Sequence, residues 1–321
     1  MSFKAHRRTP AVLVARARRP KMRTMDQLLR HVTTCNSARL PGTRPVLRIG
    51  GVPVGFVRPD VAAALVAFPH IRRGLDGLHL LRPQALPGIV GALATAGHIR
   101  WRGEAFDVRA TPDGPVLAEA DRGALPALGV MSIGVHVNGL VRTADGLRIW
   151  VAQRAANKHL DPGKLDHLVA GGIPAGMTAQ TTLLKEAAEE ADIPASLAAH
   201  AVPVGRIAYA MERPEGLRRD LLLCYDLELP ESFTPRPADG EVARFELWPI
   251  ERALATVQAG DAFKFNVNLV LIDLFLRHGL VAGEEALRLR HALDTPAPGA
   301  PGVPVELAAC PPSPARGRGS G

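Results

Sequence analysis

Residues 171–193 read Gly-Gly-Ile-Pro-Ala-Gly-Met-Thr-Ala-Gln-Thr-Thr-Leu-Leu-Lys-Glu-Ala-Ala-Glu-Glu-Ala-Asp-Ile. A glycine loop opens onto a stretch with helical periodicity, predicted from about Ala179 to Ala191. Glu186, Glu189 and Glu190 stand at i, i+3 and i+4, so they share one helical face about 5–6 Å apart. Leu183, Leu184, Ala187, Ala188 and Ala191 form the packing side, and the small alanines let such a helix approach a sheet closely. Three carboxylates on one face repel one another, and a divalent cation offsets that repulsion. Mg²⁺ prefers carboxylate oxygens, water and substrate phosphates. The competing reading of three glutamates alone is a solvated acidic helix face.

Outward from this segment the pattern is α/β. Upstream, Val130–Val141 reads as a long strand interrupted at Gly134. A turn at Ala144-Asp145-Gly146 joins it to a partner strand at Leu147–Arg154. Downstream, strands are expected at Val202–Met211, Leu221–Leu229 and Val242–Leu247, followed by helices at Ile250–Gln258 and Asn266–His278. Before position 126 the reading is a small α+β unit. It holds a helix at Met25–Val32, a hairpin Val46–Val57 around Gly50-Gly51, helices at Val61–Phe68 and Pro83–Ala96, and a second hairpin pairing His98–Trp101 with Ala105–Val108. The expected organisation is a basic disordered arm (1–24), a small α+β domain (25–125), a larger α/β domain (126–285) and a mostly disordered tail rich in Pro, Ala and Gly (286–321).

Composition narrows the function. Of 321 residues, 47% are hydrophobic and 22% charged, which is globular composition. The net charge of +8 resides in the arm: residues 1–24 carry eight Lys or Arg and no acid, leaving 31 basic and 31 acidic residues elsewhere. A neutral body argues against a specific nucleic-acid partner. The arm reads as a disordered tail or an over-extended start, with an Arg-rich transit peptide as the alternative. No run of about 18 apolar residues exists to span a membrane. Cys35, Cys224 and Cys310 are too scattered for a zinc site or a disulfide framework and fit a reducing cytoplasm.

The 171–193 segment resembles the Nudix box, G-x5-E-x7-R-E-U-x-E-E-x-G-U with U aliphatic. Gly171, Glu186, Glu189, Glu190 and Ile193 match, and Ala187 matches weakly. Met177 replaces the first Glu, Lys185 replaces Arg, and Asp192 replaces Gly. Lys keeps the charge of Arg but loses its planar fork, and Asp192 tolerates a left-handed helix end less well than Gly. The resemblance implies an α/β/α sandwich around a mixed sheet. Other glycine motifs fail, since Met177-Thr178 stands where a P-loop needs Lys-Ser/Thr.

The runs Pro162–Pro174 and Ala238-Asp239-Gly240-Glu241-Val242 are similar to a Nudix subgroup related to the N-terminal part of fungal thiamine pyrophosphokinase. That subgroup also carries an extra N-terminal domain of unknown function. The resemblance implies hydrolysis of thiamine diphosphate, or its oxidised forms, to the monophosphate and phosphate. It further implies Mg²⁺ (Mn²⁺ as substitute) held by Glu186, Glu189, Glu190 and the Gly171 carbonyl. One of these glutamates, or Glu241, would activate water; Arg154 or Lys158 would contact phosphate, and Lys185 would contact substrate or pair with a box glutamate. Trp150 and Tyr209 are candidates for ring stacking, with core packing as the competing role. His136 and His167 read as lone structural histidines. The small-molecule diphosphate is the expected partner, and a homodimer is allowed. Three rivals stand beside this reading: another Nudix substrate, such as a nucleoside diphosphate derivative; an isopentenyl diphosphate isomerase, for which Cys224 is the sheet-region cysteine; and a non-catalytic ligand sensor.

Overall fold

In the computed structural model, residues 24–305 are described; the basic arm before them, and Cys310 with the end of the tail, lie outside the described residues. The chain opens with helix α1 (Thr24–Cys35) and continues into a four-stranded sheet. Strands β1 (Val46–Ile49) and β2 (Val52–Phe56) form the expected hairpin, with Gly50 and Gly51 both at positive φ in its turn. Helix α2 (Pro59–Leu65) follows, then a second hairpin of β3 (Ile71–Gly74) and β4 (Gly77–Leu80), and helix α3 (Leu86–Thr95). Strand β5 (Ala105–Val108) pairs with β6 (Ala118–Asp121), and the short helix α4 (Leu125–Leu128) leads out.

The expected pairing of His98–Trp101 with Ala105–Val108 is therefore corrected: β5 takes β6 instead. The cause is Asp121, whose buried carboxylate accepts the backbone N–H groups of Arg102, Gly103, Glu104 and Gly123 at 2.7–3.1 Å. Those bonds fold residues 102–104 into a tight corner where the sequence suggested a hairpin turn.

The larger sheet is built from β7 (Met131–Thr143), β8 (Gly146–Arg154), β9 (Leu165–Asp166), β10 (Val169–Gly172), β11 (Val202–Arg213), β12 (Gly216–Glu228) and β13 (Val242–Pro249). Its order is β11-β12-β7-β8-β13, with β10 added beside β7 and β9 beside β8. The β12–β7 pair is parallel and the others antiparallel, so the sheet is mixed. Side chains alternate across it. Val135, Val137 and Val141 point to one face with Trp150, under helix α5 (Ala179–Ala191) and the short α6 (Ala195–Ala198). Leu140, Ile149, Val151, Leu222 and Cys224 point to the other, under α1, α7 (Ile250–Ala259), α8 (Val267–Arg277) and α9 (Gly283–Asp294). The result is the expected three-layer sandwich preceded by a small α+β unit.

Two boundaries move. Helix α1 packs on α7, α8 and α9 rather than on the unit that follows it, because Leu28, Val32 and Cys35 complete that layer. The tail does not begin at 286: α9 runs to Asp294 with Leu289 and Leu293 buried, and Ala300 is fully buried against Phe56 and Leu217. No helix among the described residues is long and apolar enough to cross a membrane.

One buried cation ties the parts together. The Arg219 guanidinium of β12 donates to the carbonyls of Val54 (3.1 Å), Gly129 (3.0 Å) and Gly299, and lies over the Phe56 ring. Burial pulls its pKa down to about 10, so it stays charged at neutral pH. Arg219→Met removes the guanidinium donor from three carbonyls in three segments, of which Gly129's keeps the Phe56 N–H, and we expect a loss of about 3 kcal/mol in urea unfolding; an unchanged midpoint would show that these contacts carry no net stability.

Candidate active site

Helix α5 begins where Thr178 and Thr181 satisfy each other's backbone N–H groups in a capping box, and ends at Asp192 in the left-handed conformation (φ 54°). Leu183, Ala187 and Ala191 seat it on Val135, Val137 and Val169. That seating presses its acidic face against β10. Residue 171 stands opposite Val135 of β7, and a β-carbon built there would overlap Cγ and Cδ of Glu186. Only glycine allows this approach. One turn on, the Glu190 carboxylate is buried and accepts the Ala170 N–H at 2.9 Å.

The three glutamates occupy three environments. Burial pushes Glu190 up to about 8; the Ala170 hydrogen bond opposes this, and the charges of Asp166 and Glu186 add to it. Burial also raises Glu186, against the pull of Lys185. Glu189 is exposed, and Lys185 Nζ bridges it (2.7 Å) to Glu186 (3.3 Å). Lys185 is thus turned onto its own helix, paired with two box glutamates.

Glu190 and Glu241 line the same small pocket, about 10 Å³, with Arg154, Lys158, Asp166 and His167. Burial raises Glu241, but its hydrogen bond to Lys158 and the charges of Lys158, Arg122 and Arg154 outweigh it and hold the carboxylate low. Lys158 is thus paired with Glu241. Arg154 is not free either: Nη1 binds Asp166 at 2.6 Å, while Nε and Nη2 bind the Leu160 and Asp161 carbonyls. In this arrangement Arg154 shapes loop 155–163 beside the pocket. Burial pushes Asp166 up, yet Lys264 and Arg154 overcome it and hold the group ionised.

Other expectations change as well. Tyr209 is fully buried, donates its hydroxyl to Asp220 and meets the Phe265 ring edge-on, so it cannot stack on a ligand. Trp150 is buried beneath α5. His136 and His167 are not lone: their rings meet edge to face at 5.2 Å, and both His167 ring nitrogens lack a hydrogen-bond partner among the described residues. Cys224 faces the opposite layer, and burial pushes its thiol up, which removes the isomerase reading. Sequence reasoning missed Asp166, Lys264 and Arg122 as neighbours of the site. Lys264 lies 78 positions after Glu186 and carries no local signal.

Residues 133–267 match the NUDIX domain model. This segment is a Nudix domain. The chain is 38% identical over 206 residues to Nudix hydrolase 20, chloroplastic, of Arabidopsis thaliana, covering 64% of this chain and 55% of that protein. To Nudix hydrolase 24, chloroplastic, of the same plant it is 38% identical over 204 residues, covering 63% and 56%. The chain thus spans little more than half the length of these curated relatives. A solved structure from Deinococcus radiodurans aligns with 52% of this chain and 97% of its own at 24% identity and a TM-score of 0.41.

The metal that Nudix chemistry implies can be tested against these residues. The donors are hard oxygens, as Mg²⁺ requires. Lys185 Nζ bridges Glu186 and Glu189, which shows that this acidic face stabilises a positive charge. Among the described residues no three acidic, His or Cys side chains converge as a finished metal site. The donor set fits, and its assembly requires Lys185 to yield.

Glu190 gives a pH signature in the metal-free protein. Folded, it keeps its proton to about pH 8; unfolded, it loses it near 4.5. The folded state then holds more protons across that window, so stability falls as pH rises through it. Urea midpoints of the wild type should drop between pH 6.5 and 8, and Glu190→Gln should flatten that slope; equal slopes would place the titration elsewhere. Gly171→Ala should displace Glu186 and weaken Mg²⁺ binding about tenfold or more, with little change in melting temperature.

Proposed function

We propose that the protein is a Mg²⁺-dependent (or Mn²⁺-dependent) Nudix diphosphatase that hydrolyses thiamine diphosphate or its oxidised derivatives to the monophosphate and phosphate. The observation that carries the diphosphatase reading is the acidic face of α5 pressed onto β10, with Glu190 buried and, among the described residues, no cation in direct contact with it. A cation bound there would offset the cost of ionising Glu190. Glu186, Glu189, Glu190 and the Gly171 carbonyl would hold the metal. Bound there, it would neutralise the diphosphate and make a coordinated water more acidic. Glu241, which lines the same small pocket as Glu190, would accept a proton from a water molecule once Lys158 turns to the substrate. The pocket's size, room for about one water, suits that role.

The thiamine assignment rests on the runs Pro162–Pro174 and Ala238–Val242, on Met177 and Lys185, and on the presence of the N-terminal unit. The reducing-compartment reading rests on Cys35 and Cys224, both free and buried. A non-catalytic sensor is the second reading, favoured by Lys185, which already supplies a cation to the acidic face.

Phosphate release from thiamine diphosphate and its oxo form, beside nucleoside diphosphates, sugar nucleotides and dinucleotides, with and without Mg²⁺, separates these. We expect metal-dependent turnover that favours the oxo form and falls at least about a hundredfold in Glu189→Gln. Turnover of nucleotides alone would remove the thiamine assignment, and binding without turnover would favour the sensor.

A further inference from the structure

A cleft beside the larger sheet is closed by the other unit. Its floor is the α5-facing side of the sheet beyond the start of that helix: Met131 and Ile133 of β7, Leu221 and Leu223 of β12, with Ile173 and Met177 from the loop before α5. Opposite stand Phe106 of β5 and the segment after it. The volume is about 450 Å³, within the range of roughly 300–1,000 Å³ usual for small-molecule sites. Two ion pairs edge it, Arg109–Asp107 at 2.8 Å and Arg206–Asp113 at 3.0 Å. A largely apolar floor suits an aromatic ring, and the charged edge suits polar atoms on that ring's perimeter.

Phe106 connects this cleft to the glutamates. Its ring fills the space over Gly172, where a β-carbon would come within 2.6 Å of Cζ, while Glu186 lies against the neighbouring Gly171 from the other face of the strand. Above the ring sits the Arg122 guanidinium, 5.6 Å from its centroid and on the same side of Gly172. Arg122 belongs to the turn that Asp121 pins through four backbone N–H groups, so its position is fixed by its own unit. Its charge reaches both Glu186 and Glu241. Its acid partner is Glu104 at 2.9 Å, and it is half exposed, so a phosphate oxygen can take Glu104's place.

We propose that this cleft receives the substrate's organic group, a heteroaromatic ring with a polar edge, and that Arg122 reaches from the N-terminal unit to the diphosphate. The proposal rests on the Nudix reading and extends it: the active site is completed by both units.

Calorimetric titration of the full chain, with Ca²⁺ in place of Mg²⁺, tests it. The probes are thiamine diphosphate, ADP, isopentenyl diphosphate and inorganic diphosphate. The wild type should bind at least one heteroaromatic diphosphate about tenfold or more tighter than the last two. Ala179→Phe, at the first turn of α5 and on the cleft wall, should erase that margin, as should Leu223→Trp from the floor. Arg122→Ala should weaken every diphosphate about tenfold or more, with Arg122→Lys recovering part of the loss. Melting temperatures close to wild type establish that the variants fold. Equal affinity for ring-bearing and ring-free diphosphates, a margin that survives both cleft-filling variants, or an unchanged Kd in Arg122→Ala would overturn the proposal. A wild type that binds with this pattern yet releases no phosphate would refute the hydrolase and leave the cleft standing; turnover without a ring preference would do the reverse.

Discussion

The absence of a side chain at position 171 is the constraint on which the site depends. Glu186 occupies the volume a β-carbon would need, so α5 can lie close enough for Glu190 to reach the Ala170 N–H of the same strand. The small residues Ala187 and Ala191 keep the helix equally close on its apolar side. Strand β10 is thereby held between β7, through regular pairing, and the carboxylates of α5. A β-carbon at 171 would displace the Glu186 side chain at the point where the chemistry is proposed.

The charges around this point are arranged in two different ways. Asp166, Arg154 and Lys264 are mutually satisfied and buried, which fixes loop 155–163 and the end of β8 but leaves no free charge for a ligand. On α5, by contrast, Glu190 is buried with a single backbone donor and two acidic neighbours in its field. A buried carboxylate without a paired cation is expensive to ionise. The protein tolerates this at Glu190 either by keeping it protonated or by binding a cation there. The contrast separates the residues that shape the site from those that can act in it.

The sequence made the Nudix half legible because its signals are local. The bounds of α5 follow from the capping threonines, the i, i+3, i+4 glutamates and Asp192, all within 15 residues. The long strands β7 and β8 follow from apolar runs around Ala144-Asp145-Gly146. The first unit was less legible because its decisive contacts are not local. Asp121 organises residues 102–104, and the charged strand around Arg72-Arg73 has no apolar alternation to mark it. The pairings of Arg154, Lys158 and Lys185 with carboxylates were not legible in full for a related reason. A sequence shows that a cation is near an acidic motif but not which carboxylate it already serves. Helix α9 escaped notice because Leu289 and Leu293 are its only buried residues.

Whether the N-terminal unit takes part in function turns on how firmly it is held. A cleft between loosely joined units has no fixed shape and selects nothing. Here Arg219 reaches from β12 to the carbonyl of Val54 in β2, to Gly129 in the linker and to Gly299 beyond α9, and Ala300 closes the same junction from outside. Two glycines at this junction allow no slack: a β-carbon at 129, in the linker, or at 216, at the start of β12, would collide with the backbone of Phe56 or Pro126. The hairpin bearing Phe106 and the turn bearing Arg122 are therefore held at a fixed distance from Gly172. Preorganisation of this kind is what a recognition surface needs, and it places the first unit's contribution at the reacting end of the Nudix domain.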